Sequence, residues 1–354
     1  MSAYISERIK NITPYVPGEQ PKRGGFVKLN TNESPFPPSP KAIARAAEAA
    51  KALQLYSDPE MSALKAKLAQ RFGVESAEVF VSNGSDEVLN FAFAAFVDKN
   101  APAVFADITY GFYPVFAAVN GVPYEEIPLK DDFSIDVSDY IGVKKSVFIA
   151  NPNAPTGILL PVAEIEKIVA SNPDNVVVID EAYIDFGGES CIPLIKKYKN
   201  LLVTGTFSKS RSMAGARLGF GIGDKALIAD LETVKYSTNP YNVNSMTAAA
   251  GIGALEDEEY TRKNCQAIIE NRAYIAKKLR ALGFTLTDSA ANFLFVRHPR
   301  ISGKELYEEL KARGVLVRHF NKARIENYLR ITVGTQAQMN VLLVVIKEIL
   351  EEQP

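Results

Sequence analysis

The chain has 354 residues, 47% hydrophobic and 23% charged, a balance that fits one large soluble domain with a smaller partner. Forty basic against 41 acidic residues leave a net charge of −1, so nothing in the bulk charge favours nucleic acid or an anionic membrane surface. The opening residues lack an apolar signal core, no run reaches about eighteen apolar residues, and two lone cysteines (Cys191, Cys265) with two histidines (His298, His319) argue against a metal centre or disulfide framework; a cytoplasmic, metal-free protein is expected.

Residues 1–40 are polar and broken by Pro14, Pro17, Pro21, Pro35, Pro37, Pro38 and Pro40, which predicts an extended arm. Lys41 to Leu53 is alanine-rich and reads as helix, Tyr56 to Pro59 as a turn, and Ser62 as the cap of a helix with Leu64, Leu68 and Phe72 on one face. After Gly73, short apolar runs alternate with helical stretches. Val79 to Val81 leads into Asn83-Gly84-Ser85-Asp86-Glu87, and Ala103 to Phe105 into Thr109-Tyr110. Ser146 to Ala150 leads into Asn151-Pro152-Asn153-Ala154-Pro155-Thr156-Gly157, and Asn175 to Ile179 into Asp180-Glu181-Ala182-Tyr183. Leu201 to Thr204 leads into Thr206-Phe207-Ser208-Lys209, and Gly219 to Gly223 is a last, glycine-rich strand. Such runs predict an α/β fold with a parallel sheet buried on both faces, whose ligands sit at the carboxyl ends of the strands. Every polar cluster named here falls at such an end.

Near Glu256 the composition changes and a smaller α+β domain is predicted. It comprises a long helix through Ile268 and Leu279 to Gly283, strands at Phe293–Val296, Val315–Val317 and Leu329–Val333, a Ser302-capped helix ending at Gly314, and a final Thr335-capped helix. The division is thus an arm over 1–40, which joins the small domain, a large domain over 41–255 and a small domain over 256–354.

Lys209, just past a strand end and flanked by hydroxyls and arginines, suits a Schiff-base amine beside a phosphate; a plain surface loop is the alternative. Asn83 to Asp86 is either an anion site at a helix start or simply a cap. Asp180 closes a Val/Ile strand and needs a cationic partner there, either a protonated ring nitrogen or an arginine. Tyr183 and Tyr110 offer a hydroxyl and an aromatic face, or merely pack. Arg318 and Arg330 fall on small-domain strands. The Gly219-Phe-Gly-Ile-Gly223 run is not a dinucleotide fingerprint, and no G-x-S-x-G elbow or P-loop occurs.

In order along nearly the whole chain, Pro14 to Gly18, Asn32-Glu-Ser-Pro35, Tyr56 to Pro59, Asn83 to Glu87, Tyr110 to Tyr113, Asn151 to Gly157, Asp180 to Tyr183, Ser208-Lys209 with Arg217, Pro240 to Asn244, Asn292-Phe293 and Leu329 to Gly334 resemble the histidinol-phosphate aminotransferase family of fold-type-I pyridoxal-phosphate enzymes. The resemblance implies a mostly parallel sheet of the seven-stranded type in the large domain and pyridoxal 5'-phosphate as cofactor. It implies Lys209 as the Schiff-base lysine and proton carrier, Asp180 against the pyridine nitrogen, Tyr183 on the phenolic oxygen and Tyr110 against the ring. Gly84, Ser85, Asp86, Thr206, Ser208 and Arg217 would hold the phosphate. Tyr56 would reach the cofactor of a second subunit, making the enzyme a homodimer. Arg330, with Arg318 and Tyr15, would grip the acidic group of a small amino donor or 2-oxo acid. The reaction implied converts histidinol phosphate and 2-oxoglutarate to imidazole-acetol phosphate and glutamate; an aromatic-amino-acid aminotransferase or a threonine-phosphate decarboxylase are alternatives. A ligand-sensing regulator fits less well, since Lys209 is retained and no segment resembles a DNA-binding module. One departure is Ala154, where the family often has a second asparagine; Asn153 or Asn151 substitutes, or Tyr183 serves alone.

Overall fold

The computed structural model describes residues 2–10, 12–21 and 25–352. Met1, Asn11, residues 22–24 and residues 353–354, which belong to the expected arm and small domain, lie outside the described residues. Thirteen strands form three sheets among the described residues. In chain order they are β1 (Val27–Lys28), β2 (Val79–Ser82), β3 (Ala103–Ala106), β4 (Tyr124–Ile127), β5 (Ser146–Ala150), β6 (Val177–Asp180) and β7 (Leu201–Thr206). There follow β8 (Gly219–Gly223), β9 (Thr285–Leu286), β10 (Phe293–Arg297), β11 (Val315–Leu316), β12 (Arg318–His319) and β13 (Leu329–Thr332).

The main sheet has seven strands in the order β2-β8-β7-β6-β5-β3-β4. Its inner strands are largely apolar because both faces are covered, and alternate side chains enter different cores. Val79, Val81, Val147, Ile149, Val177, Ile179, Leu201 and Val203 pack into one cluster. Phe80, Phe148, Val178 and Leu202 pack into another on the opposite face. The fold class read from the sequence is therefore observed: α/β, with a mostly parallel seven-stranded sheet between helices.

Three details differ from the expectation. Strand β8 runs antiparallel to both of its neighbours, since an apolar run carries no information about direction. Edge strand β4 was not anticipated; it is mostly exposed and carries Glu125 and Glu126, so it lacks the apolar signal of its neighbours. The stretch Val315–Val317 does not form one strand: β11 pairs in parallel with β1, whereas β12 pairs with β13. Ser62 is also not a cap. Its helix starts after Met61 in a left-handed conformation, and the carboxylate of Asp58 accepts from Ser62 N at 2.8 Å.

A second sheet, β12-β13-β10-β9, is antiparallel and packs with the long helix Glu258–Ala281 and the last helix Gln336–Glu352. No helix among the described residues is long and apolar enough to cross a membrane.

What places the site is the register at the carboxyl ends of β5, β6, β7 and β2. Asp180 stands beside Ala150 on one side and Thr204 on the other. Gly219, at the start of the antiparallel β8, lies between Thr206 and Ser82. A side chain on Gly219 would put its Cβ 2.3 Å from the amide nitrogen of Ser85, so only glycine lets the helix Ser85–Phe96 start this close to the sheet. Backbone there cannot yield cheaply. Gly219→Ala is expected to lower unfolding stability by about 1–3 kcal/mol, read as a drop in the urea midpoint with an unchanged slope.

Candidate active site

The strand ends open into a cavity of about 400 Å³ lined by residues from the arm, the main sheet and the small sheet. Of the residues expected at a site, Tyr15, Ser85, Asp86, Tyr110, Asp180, Tyr183, Thr206, Ser208, Lys209, Arg217, Arg318 and Arg330 all line it. They come from positions spread over more than 300 residues, which packing of the two sheets brings together.

On the floor lies Asp180, whose carboxylate accepts from Ala182 N and from Thr204 Oγ1, each at 3.2 Å. It is buried, and burial raises its pKa to about 6. No arginine or lysine is bonded to it among the described residues. A buried carboxylate with two neutral donors has room for a cation in the cavity.

Lys209 follows β7. Its Nζ donates to Thr31 O at 3.3 Å and stands 5.7 Å from the centre of the Tyr183 ring. Tyr183 packs edge-on against Phe293, and its hydroxyl accepts from Asn32 Nδ2 at 3.0 Å. Tyr110 donates to Asp86 Oδ1 at 2.6 Å, and Arg217 donates to the other Asp86 oxygen at 2.9 Å. Burial, with Asp86 next, pushes the Tyr110 hydroxyl well above its ordinary pKa. Asp86 thus ties the aromatic side of the cavity to its cationic side.

An anion cradle is built from four elements. The helix Ser85–Phe96 opens with its first amides and the positive end of its dipole beside the cavity. Thr206 and Ser208 add hydroxyls, and the Ser208 Oγ is buried without a partner. Arg217 adds the charge from a left-handed backbone position with φ 55°. Gly84 lines no part of the cavity; it precedes the helix at φ 80°, and a Cβ there would meet the Arg217 guanidinium at 2.6 Å. Its contribution is the space that Arg217 occupies.

At the opposite end, Arg330 Nη2 donates to Asn30 O at 3.1 Å, while its Nε is buried without a partner. The guanidinium lies over Phe293 and Phe320, and burial lowers its pKa. Arg318 is engaged differently: its two terminal nitrogens donate to Pro17 O at 3.1 Å and Val16 O at 2.8 Å. Tyr15, next to them, stacks on Phe112 at 4.2 Å.

Besides Gly84, two expected residues are not brought to the cavity. Asn153 turns away: its amide donates to Ile108 O and Thr156 Oγ1 and its oxygen accepts from Thr109 Oγ1, so both of its N–H groups are used. Asn151 is likewise closed on Leu160, so neither asparagine replaces the one missing at Ala154, which itself lines the cavity. Tyr56 is 82% exposed and stacks on Tyr241 at 4.5 Å, away from this chain's own cavity.

Sequence reading also passed over functional neighbours. Thr31 and Asn32 touch Lys209 and Tyr183 from the arm, and no local pattern announces these contacts. Lys235 is buried in the helix Lys225–Thr238, paired with Glu232, and donates to Pro59 O at 2.9 Å, so it anchors the turn that carries Tyr56. A lysine inside a helix carries no such signal.

A sheet flanked by helices, with a strand-end lysine facing a buried carboxylate and an anion cradle, defines a transferase of the pyridoxal-phosphate type. The family model for aminotransferase class I and II matches residues 25–346, and the class works with pyridoxal 5'-phosphate. The chain is 51% identical to a histidinol-phosphate aminotransferase of Aromatoleum aromaticum, over 99% of this chain and all of that one. It belongs to the histidinol-phosphate aminotransferase family. A structure of that enzyme from Sinorhizobium meliloti in complex with pyridoxal-5'-phosphate has the same fold, at 24% identity and a TM-score of 0.90, covering 100% of this chain and 99% of that one. So does the L-threonine-O-3-phosphate decarboxylase of Porphyromonas gingivalis, at 22% identity and 0.81, covering 92% and 100%. The fold alone therefore does not choose the reaction.

The residues fit the cofactor. The unpartnered Ser208 hydroxyl lies where a phosphate would be held, and Asp180 lies where a ring N–H⁺ would need a counter-charge.

The sign of the Asp180 effect is fixed by its raised pKa. In the cofactor-free protein the neutral form is favoured, so stability is full below the ordinary carboxyl pKa near 3.8 and is lost as pH rises through about 6. Asp180→Asn should therefore stabilise the cofactor-free protein by about 2 kcal/mol near pH 8 and by almost nothing near pH 4, measured by urea unfolding at both pH values. A larger gain at the acidic pH would contradict the burial argument.

Proposed function

We propose that this chain transfers the amino group of histidinol phosphate to 2-oxoglutarate, giving imidazole-acetol phosphate and glutamate, a step of histidine biosynthesis. The observation that carries it is one cavity holding Lys209, Asp180 and Tyr183 between a phosphate cradle and Arg330, in a chain 51% identical to an enzyme of that name. Its substrates are small molecules.

When bound, pyridoxal 5'-phosphate supplies the electron sink for electrons left at the substrate's reacting carbon. Asp180, ionised, holds a proton on the ring nitrogen. The amides of Ser85 and Asp86, with Thr206, Ser208 and Arg217, hold the phosphate by charge-assisted bonds. Tyr110 borders the ring, and Tyr183 directs its hydroxyl at the phenolic oxygen. Lys209 provides the amine that bonds the cofactor and the base that moves a proton at the substrate carbon. Arg330, with Arg318 and Tyr15 beside it, grips the acidic group of either substrate, since a guanidinium fork fits phosphate and carboxylate alike.

The same reading divides the chain into an arm over 1–40, a cofactor domain over 41–255 and a small domain over 256–354, and places it in the cytoplasm as a homodimer. The exposed Tyr56, with Leu53 and Leu55 exposed beside it, supports a partner subunit covering this surface and receiving Tyr56 at its own cofactor site. Sedimentation is expected to give a dimer.

The cofactor-loaded protein mixed with histidinol phosphate alone should lose its visible absorbance band, and 2-oxoglutarate should restore it. A response to phenylalanine or threonine phosphate instead would reassign the substrate. Lys209→Ala should abolish the conversion. Arg330→Ala should raise KM about 10- to 100-fold, as expected for losing bonds to a charged group, with cofactor affinity unchanged. Equal loss of both affinities would remove Arg330 from the substrate end.

A further inference from the structure

Ala154 leaves the wall of the cavity without the asparagine amide that the resemblance led us to expect, and neither neighbouring asparagine fills the gap. Another asparagine reaches the Tyr183 hydroxyl, which lines the same cavity, from the arm. Asn32 belongs to the arm, is buried, and its Nδ2 lies 3.0 Å from the Tyr183 hydroxyl oxygen. Its backbone is left-handed, with φ 56°, a conformation that asparagine tolerates better than most side chains.

Three contacts hold it there. Asn32 N donates to Thr332 Oγ1 at 2.9 Å, Thr332 Oγ1 donates to Asn32 Oδ1 at 3.1 Å, and Asn292 Nδ2 donates to Asn32 O at 3.0 Å. The threonine hydroxyl has one proton. That proton goes to Oδ1, 3.1 Å away, which sets the side-chain oxygen on the threonine side. The NH₂ group is then the part that meets Tyr183, and it can only donate. The Tyr183 oxygen is the acceptor, so its own proton must point elsewhere. The charged and titratable groups that face Tyr183 are Lys209, Tyr110 and Arg330, and among the described residues none of them is hydrogen-bonded to its oxygen. The direction left is into the cavity.

We infer that Asn32 is a positioning residue: it fixes the Tyr183 hydroxyl as a donor toward the cofactor's phenolic oxygen. This rests on the role given to Tyr183 in the proposed function. A donor on that oxygen favours its ionised form and so lowers the pH at which the bound cofactor's visible band titrates. Donation from Asn32 polarises the tyrosine O–H and strengthens the effect.

The test is the pH midpoint of that band in the cofactor-loaded protein and in Asn32→Ala, Asn32→Asp, Tyr183→Phe and the double variant Asn32→Ala/Tyr183→Phe. Asn32→Asp keeps an oxygen for Thr332 and suits the left-handed backbone, so it guards against a folding failure of the alanine variant. Asn32→Ala is expected to raise the midpoint by about half to one pH unit, the effect of losing one hydrogen bond. Asn32→Asp should raise it at least as far, because a carboxylate accepts the tyrosine proton. The double variant should match Tyr183→Phe alone. A midpoint unmoved in both Asn32 variants, with Tyr183→Phe shifted, overturns the positioning role but leaves the proposed function intact. A midpoint that does not respond to Tyr183→Phe overturns both.

Discussion

The carboxylate of Asp180 is the constraint around which the rest of this molecule is arranged. It ends a strand buried on both faces, where an ionised group without a cation is costly, and it accepts from a backbone amide and the Thr204 hydroxyl. Its neighbours are set by strand register, so its place is as fixed as the sheet itself. Everything else in the cavity acts relative to that fixed point. Lys209 comes off the adjacent strand β7, the anion cradle joins the end of β7 and Arg217 to the helix that follows β2 beyond the antiparallel β8, and Arg318 and Arg330 come from the small sheet. The cofactor-free protein carries an electrostatic cost at Asp180; under the proposed function a cationic ring would remove it, which would tie binding to stability by mass action.

Much of this was readable in the sequence, for reasons that can be named. Strands such as Val177–Asp180 announce themselves because burial on both faces demands apolar residues at every position, and the polar residues that follow must lie at the carboxyl end. Asp180 and Lys209 were found that way. Strand direction is a different matter: Gly219–Gly223 would have the same composition whichever way it ran. Edge strand β4 escaped notice because exposure lets it carry charges.

Side-chain direction in irregular loops was the other blind spot. The resemblance offered Asn153 as one substitute beside the cofactor, but in the fold its amide is spent on Ile108 and Thr156. Asn32 was hidden for the opposite reason. Its contacts lie 151 and 300 residues away along the chain, at Tyr183 and Thr332, and no local pattern encodes them. The arm, polar and rich in proline, reads as a tether. In the fold it is part of the site, pairing β1 with β11 and laying Thr31 and Asn32 against the lysine and the tyrosine.

The engagement of Arg318 has a consequence for turnover. Its two terminal nitrogens already hold the carbonyls of Val16 and Pro17, whereas Arg330 keeps one buried nitrogen uncommitted. Under the proposed function, an arriving anion would gain a new bond from one arginine and would have to barter with the chain's own backbone for the other. Recognition of this kind is an exchange, with a small net gain for each bond swapped, and it leaves the departing product a competitor ready to take its place. A catalyst that must release one anion before admitting an unlike one is well served by a grip that is never wholly its ligand's.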